Sequence, residues 1–139
     1  MTDLHFVDTN ILVYAHDRSA GKKHQRSREL VEQLWEGNQG VLSTQVLQEL
    51  CINLRRKMAI PFSSEELRQV VHDYLRWRVV VNTADSVLQA LELETRHKLS
   101  FWDALILQAA ESGGVTILYS EDFSHQQRYG NILAVNPLL

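Results

Sequence analysis

The stretch HFVDTNILVYA, His5 to Ala15, decides how this chain is read. Leu4 to Val7 is short and apolar, as a buried strand is. It stops at Asp8-Thr9-Asn10, and the apolar residues then return in a helical pattern. An acid therefore stands where a buried strand hands over to a helix. Asp and Asn are favoured helix caps, but a cap accounts for one polar residue rather than three in a row. A carboxylate among so much Leu, Ile and Val costs several kcal/mol unless it is paired, protonated or bound to a cation.

Three further acids occupy comparable settings: Glu49 in VLQELC, Asp103 in SFWDALIL and Asp122 in LYSEDFSH. No Lys or Arg lies within two residues of any of the four. Brought together by folding, they make an oxygen-lined pocket suited to Mg²⁺ or Mn²⁺, and that points to metal-dependent phosphodiester chemistry.

Each acid also has a plainer reading. Glu49 lies inside a helix with Gln45 and Asn53 four residues to either side, so the three form one polar stripe that solvent alone could explain. Asp103 follows Ser100 by three residues, as in a capping box. The electropositive first turn of a helix also holds a carboxylate ionised, so capping and metal binding are compatible there. Asp122 has Glu121 as a neighbour and rival for the same role. The six histidines show no metal-ligand spacing; His125 stands out only because it follows the Asp122 loop.

Outward from these segments, short apolar runs alternate with helical patterns. Val41-Leu42, Val79 to Val81, Val115 to Tyr119 and Ile132 to Val135 read as further strands. Helices are expected through Leu30 to Trp35, through Val46 to Leu54, after a Ser63–Glu66 capping box, from Thr83 to about His97, and from Ser100 to Gly113-Gly114. In the helix after Ser63, Leu67, Val70, Val71, Tyr74 and Leu75 are expected to face inward. Strands that are apolar throughout, alternating with helices, imply an α/β fold: a three-layer α/β/α sandwich around a mostly parallel sheet of four to five strands. In such sheets sites lie at the carboxyl ends of strands, where Asp8 and Asp122 fall.

The 139 residues favour a single domain, and 45% hydrophobic content argues against disorder. The net charge of −3 does not suggest a general polyanion binder, so nucleic-acid contact needs a local patch. Lys22, Lys23, Arg26 and Arg28 are the main candidates, with Arg55 and Arg56 as a second group. Cations at a helix start oppose the dipole, which gives the first group a reason to serve something other than folding. Lone Cys51 leaves no internal disulfide and no Cys-based zinc site. The start lacks the pattern of a signal peptide, and no apolar run approaches the length needed to span a bilayer. The expectation is a soluble, cytoplasmic protein.

The segments VDTNILVYA, LSTQVLQEL, SFWDALILQAA and LYSEDF, in this order, resemble the PIN-domain family, most closely the VapC-type toxin ribonucleases of toxin–antitoxin pairs. The closing ILAVNPLL resembles that family's last strand, and the likeness spans the chain. It implies that Asp8, Glu49, Asp103 and Asp122 take the acidic positions. It also implies Mg²⁺ or Mn²⁺, RNA as substrate, a homodimer and inhibition by a small antitoxin. On that reading all four acids make the metal site: Asp8 and Asp103 bind the ion directly, Asp122 completes the shell, directly or through water, and Glu49 holds a metal-bound water or acts as base. Thr9, Asn10 and Ser120 orient the carboxylates. Two rivals stand beside it. A haloacid-dehalogenase-like phosphatase would use Asp8 as nucleophile, but Asn10 stands where its general acid belongs. A non-catalytic binding module of the same fold would have no reason to keep four repelling acids.

Overall fold

A computed structural model describes residues 3–139. Strand β1 (His5–Val7) leads into α1 (Thr9–His16) and, past a short 3₁₀ turn at Arg18–Ala20, into α2 (Lys22–Glu36). Then come β2 (Gly40–Ser43), α3 (Thr44–Arg56), α4 (Ser64–Tyr74) and β3 (Arg78–Val80). The chain closes with α5 (Ala84–His97), α6 (Phe101–Ser112), β4 (Ile117–Tyr119), β5 (Arg128–Tyr129) and β6 (Ile132–Val135).

The strands form one sheet in the order β3-β2-β1-β4-β6-β5. All neighbours run parallel except β5, which pairs antiparallel with β6. Among the described residues the sheet has six strands, one beyond the four to five expected. The additional one, Arg128–Tyr129, is two residues long and too short to leave a periodic signal. The central strands are covered on both faces: Phe6, Val7, Val41, Leu42 and Leu118 are fully buried. That is why their sequences are apolar throughout rather than alternating.

Right-handed crossovers fix the layers. From β1 the chain steps to β2 and then β3 on one side, so α1 to α4 cover one face. The return from β3 to β4, on the other side of β1, puts α5 and α6 on the opposite face. The packing agrees, with α1 against α2 and α3, α3 against α4, and α5 against α6.

Local chemistry starts the helices where the sequence predicts. Ser43 caps α3, Ser100 caps α6, and Ser63 with Glu66 and Thr83 with Ser86 form capping boxes. Tyr74 and Trp77 are buried against half-buried Trp35, with ring centroids 5.1 to 5.4 Å apart. These aromatics are core and not a docking face. Gly40 makes room for that cluster, since a Cβ there would fall 2.4 Å from the Trp77 ring. Leu75, expected inward, is exposed, because it is the residue that caps α4.

Candidate active site

The strand order reverses at β1 and β4, and open α/β sheets place their sites at such a switch point. The two strand ends are tied together there: the Asp8 amide donates to the Tyr119 carbonyl at 2.9 Å. Asp8 caps α1, its Oδ1 accepting from the Thr9 amide at 2.7 Å. Its Oδ2 accepts from the Ser120 hydroxyl at 2.7 Å. With both oxygens engaged and only 4% of the residue exposed, the Asp8 carboxylate has one orientation.

Two acids join it. Ser100 starts α6 by accepting from the Asp103 amide at 3.1 Å, so Asp103 lies in the first turn. That helix runs antiparallel to the strands it serves, which brings its N-terminus to the same sheet edge. Asp122 follows β4; its amide donates to the Ser120 hydroxyl at 3.0 Å, and its Oδ2 accepts from the Asn10 side chain at 3.0 Å. Carboxylate oxygens of Asp8, Asp103 and Asp122 lie within 4.8 Å of one another.

Glu49 stands outside that trio but lines the same groove, an open depression of about 290 Å³ between α1, α3 and α6. Its Oε1 accepts from the Thr9 hydroxyl at 2.8 Å. Thr9 therefore serves two acids at once, Asp8 through its amide and Glu49 through its hydroxyl. Gln45 and Asn53 line the groove with Glu49, so the polar stripe on α3 is a wall of the groove and not a solvated face.

Burial pushes the Asp8 carboxyl from an ordinary 3.8 up to about 7, against the pull of its bonds from Ser120 and Thr9; the charges of Asp122 and Glu49 add to the rise. Burial also raises Asp103, helped by Asp122 and Glu49. Among the described residues the ion pairs are Lys23–Glu121, Arg28–Glu32 and Arg96–Glu92, so none of the four acids has a basic partner. One buried carboxylate beside three more open ones, mutually repelling and without a basic partner, fits a hard divalent cation with oxygen ligands, Mg²⁺ or Mn²⁺.

Glu121 and Asp122 differ in the contacts they receive from elsewhere. Glu121 accepts from Tyr14 Oη at 2.7 Å and from Lys23 Nζ at 2.8 Å. Burial acts upward on Glu121, but these two bonds outweigh it and hold the carboxyl below its ordinary range. Tyr14, which the sequence did not single out, is thus the residue that separates the two acids. Its hydroxyl reaches Glu121 from 107 positions away, and no local pattern announces that.

Half of the six basic candidates are engaged on their own chain. Besides Lys23, Arg26 donates to the Leu138 carbonyl at 2.8 Å and Arg28 to Glu32 at 2.9 Å. Lys22, Arg55 and Arg56 are exposed, the last two in the final turn of α3. His125 accepts from the Asn136 amide at 3.0 Å and belongs to the β6 end rather than to the groove.

The sequence profile of the PIN domain matches residues 5–131. No curated protein matches the chain in sequence. Solved structures share its fold. VapC20 of Mycobacterium tuberculosis, described as a Sarcin-Ricin loop cleaving toxin, is 24% identical, with a TM-score of 0.64 over 85% of this chain and 89% of that one. A toxin–antitoxin complex from Klebsiella pneumoniae gives a TM-score of 0.71 at 16% identity, over 96% and 97% of the two chains. VapBC2 from Rickettsia felis, bound to a DNA fragment from its promoter, gives 0.65 at 19% identity, over 94% and 96%.

Proposed function

Because this chain belongs to the PIN-domain family, we propose that it is a metal-dependent endoribonuclease and the toxin of a toxin–antitoxin pair, all 139 residues forming one nuclease domain. The observation that carries this reading is the set of three carboxylates within 4.8 Å of one another at the switch point, without a cationic partner among the described residues.

Asp8, Asp103 and Asp122 would hold Mg²⁺ or Mn²⁺. When bound, that ion supplies Lewis-acid stabilisation of phosphate charge and a more acidic water. The chain's own groups do the positioning. Thr9 N and Ser120 Oγ fix the Asp8 carboxylate, and Asn10 fixes Asp122. Glu49 is held through Oε1 by Thr9, which leaves Oε2 to take a proton from the attacking water. Attack in line at phosphorus then breaks the bond to the leaving ribose oxygen. Small losses of alignment cost rate steeply in such a site, so these oriented bonds are part of the catalyst.

The antitoxin reading draws on the neighbouring structures, several of which are toxin–antitoxin complexes. An acidic groove is readily blocked by an Arg from a partner, since the guanidinium can bind a carboxylate in two places. A homodimer is supported by α5, whose Val87, Leu88 and Leu91 leave an apolar stripe exposed on one side. Among the described residues no helix is long and apolar enough to cross a membrane; a cytoplasmic location follows from the proposed RNA substrate.

The test is to incubate the purified chain, freed of any partner, with total RNA in Mn²⁺, in Mg²⁺ and in EDTA, beside Asp8→Asn. Cleavage that requires both the metal and Asp8 is the expected result. Cleavage by Asp8→Asn at the wild-type rate would end the proposal, and failure to bind either metal would favour a non-catalytic module.

A further inference from the structure

Trp102 stands at the edge of the groove with 63% of its surface exposed. Large aromatics are normally well covered, and Trp77 in this chain is buried in the core. The indole is not loose: half-buried Phe101 lies edge-on against it at 5.4 Å. Trp102 immediately precedes Asp103, so it adjoins the carboxylates along the chain as well as in space.

Gln45, on the α3 wall of the same groove, is the second observation. Only 5% of it is exposed. Its Nε2 donates to the Trp102 carbonyl over a long 3.4 Å, while its Oε1 is buried with no partner. On the same wall Asn53 Nδ2 donates to the Glu49 carbonyl at 2.8 Å, and Glu49 Oε1 accepts from Thr9. The groove thus combines an acidic centre with a flat aromatic face at its rim, and beneath its α3 wall lies a buried carboxamide oxygen with no donor among the described residues.

We propose that this part of the groove is a nucleobase subsite, in which an unpaired base beside the scissile phosphate stacks on the Trp102 indole and donates an exocyclic amino group to Gln45 Oε1. The inference rests on the ribonuclease reading above. Stacking needs a base that is splayed out, as bases in RNA loops and single strands are and bases in duplexes are not. It tolerates any base, because every base has a π-face. Selection falls to Gln45: set against position 4 of a pyrimidine, its oxygen accepts from the cytosine amino group and opposes the uracil carbonyl, leaving uracil only its ring N3–H to offer. Gln45 Oε1 is buried in the free protein, so the carboxamide must rotate, giving up its long 3.4 Å bond to the Trp102 carbonyl, to present its oxygen to the amino group.

The experiment uses the full chain carrying Asp8→Asn, so that RNA is bound and not cut, with the octamers of cytidylate and uridylate as probes. Binding is followed by tryptophan emission and by anisotropy of end-labelled octamer. The expected result is quenching on binding and severalfold tighter binding of octacytidylate than of octauridylate. Adding Trp102→Leu should weaken binding about tenfold, while Trp102→Phe keeps most of it. Adding Gln45→Met should erase the preference between the two octamers. In the otherwise wild-type chain, Trp102→Leu should raise KM more than it lowers kcat. If Trp102→Leu binds as tightly as its parent and wild-type RNA cleavage still requires Asp8, the subsite is refuted and the ribonuclease reading stands. If wild type cleaves no RNA and no octamer binds, both fall. If Gln45→Met leaves an octamer preference unchanged, Gln45 does not read the base.

Discussion

Replacing Asp8 by Asn should stabilise the metal-free protein, increasingly as pH rises. The folded chain holds the Asp8 proton up to about pH 7, against an ordinary value of 3.8, so the native state binds that proton more tightly than the unfolded state. The associated stability is complete below about pH 3.8 and is lost as pH climbs through 7. A gap of about three pH units corresponds to about 4 kcal/mol. Asn carries no charge and still accepts from the Thr9 amide. It meets Ser120 with a donor rather than an acceptor, which costs about 1 kcal/mol. Asp8→Asn should therefore be about 3 kcal/mol more stable than wild type at pH 8 in EDTA, and the advantage should shrink to less than about 1 kcal/mol at pH 5. Near the melting point 3 kcal/mol is roughly 10 °C for a domain of this size. Thermal and urea unfolding at both pH values, with EDTA or with Mn²⁺, measures this. Mn²⁺ should narrow the gap at pH 8, because only the wild type gains binding energy in the folded state. A pH-independent difference, or a wild type that is the more stable protein at pH 8 in EDTA, would show that Asp8 ionises there at no cost and needs no cation.

Glu121→Gln should lose less than about 1 kcal/mol, since the Lys23–Glu121 pair is partly exposed, and should still cleave RNA, while Asp122→Asn should lose at least roughly tenfold in rate; parallel kinetic assays would separate the adjacent acids. Thr9→Val keeps the shape but removes the hydroxyl that holds Glu49, and kcat should fall roughly 10- to 100-fold with circular dichroism unchanged. Gly40→Ala places a methyl 2.4 Å from the Trp77 ring and should cost about 3 kcal/mol by urea unfolding.

The parts of this fold that local chemistry controls are the parts legible in the sequence. The Ser63–Glu66 box, the Thr83 cap and the Ser100 start each depend on residues three apart, and the buried strands are apolar without interruption. Strand β5 escaped because two residues carry no period; it exists through pairing with Ile132 and Leu133. The site divides the same way. Four acids at the mouths of apolar segments were visible, and so was the stripe of Gln45, Glu49 and Asn53. Whether that stripe met solvent or a groove depended on α1 and α6 standing opposite it. The choice between Glu121 and Asp122 depended on Tyr14 and Lys23, far away in sequence. Trp102 looked like one more apolar residue, and only its exposure distinguishes it from Trp77.

Ser120 grips Asp8 from 112 positions further along the chain, and the strand that carries it must slot between β1 and β6 before that grip exists. A growing polypeptide exposes Asp8 early, as a lone acid with neither Asp103 nor Asp122 in place. Contacts of such long sequence separation close late. A site built this way is incomplete for most of the chain's synthesis and is assembled only once its final strands dock. A fragment cut short before Ser120 lacks both the hydroxyl that fixes Asp8 and the third carboxylate, so the order of synthesis is also the order in which the site is withheld.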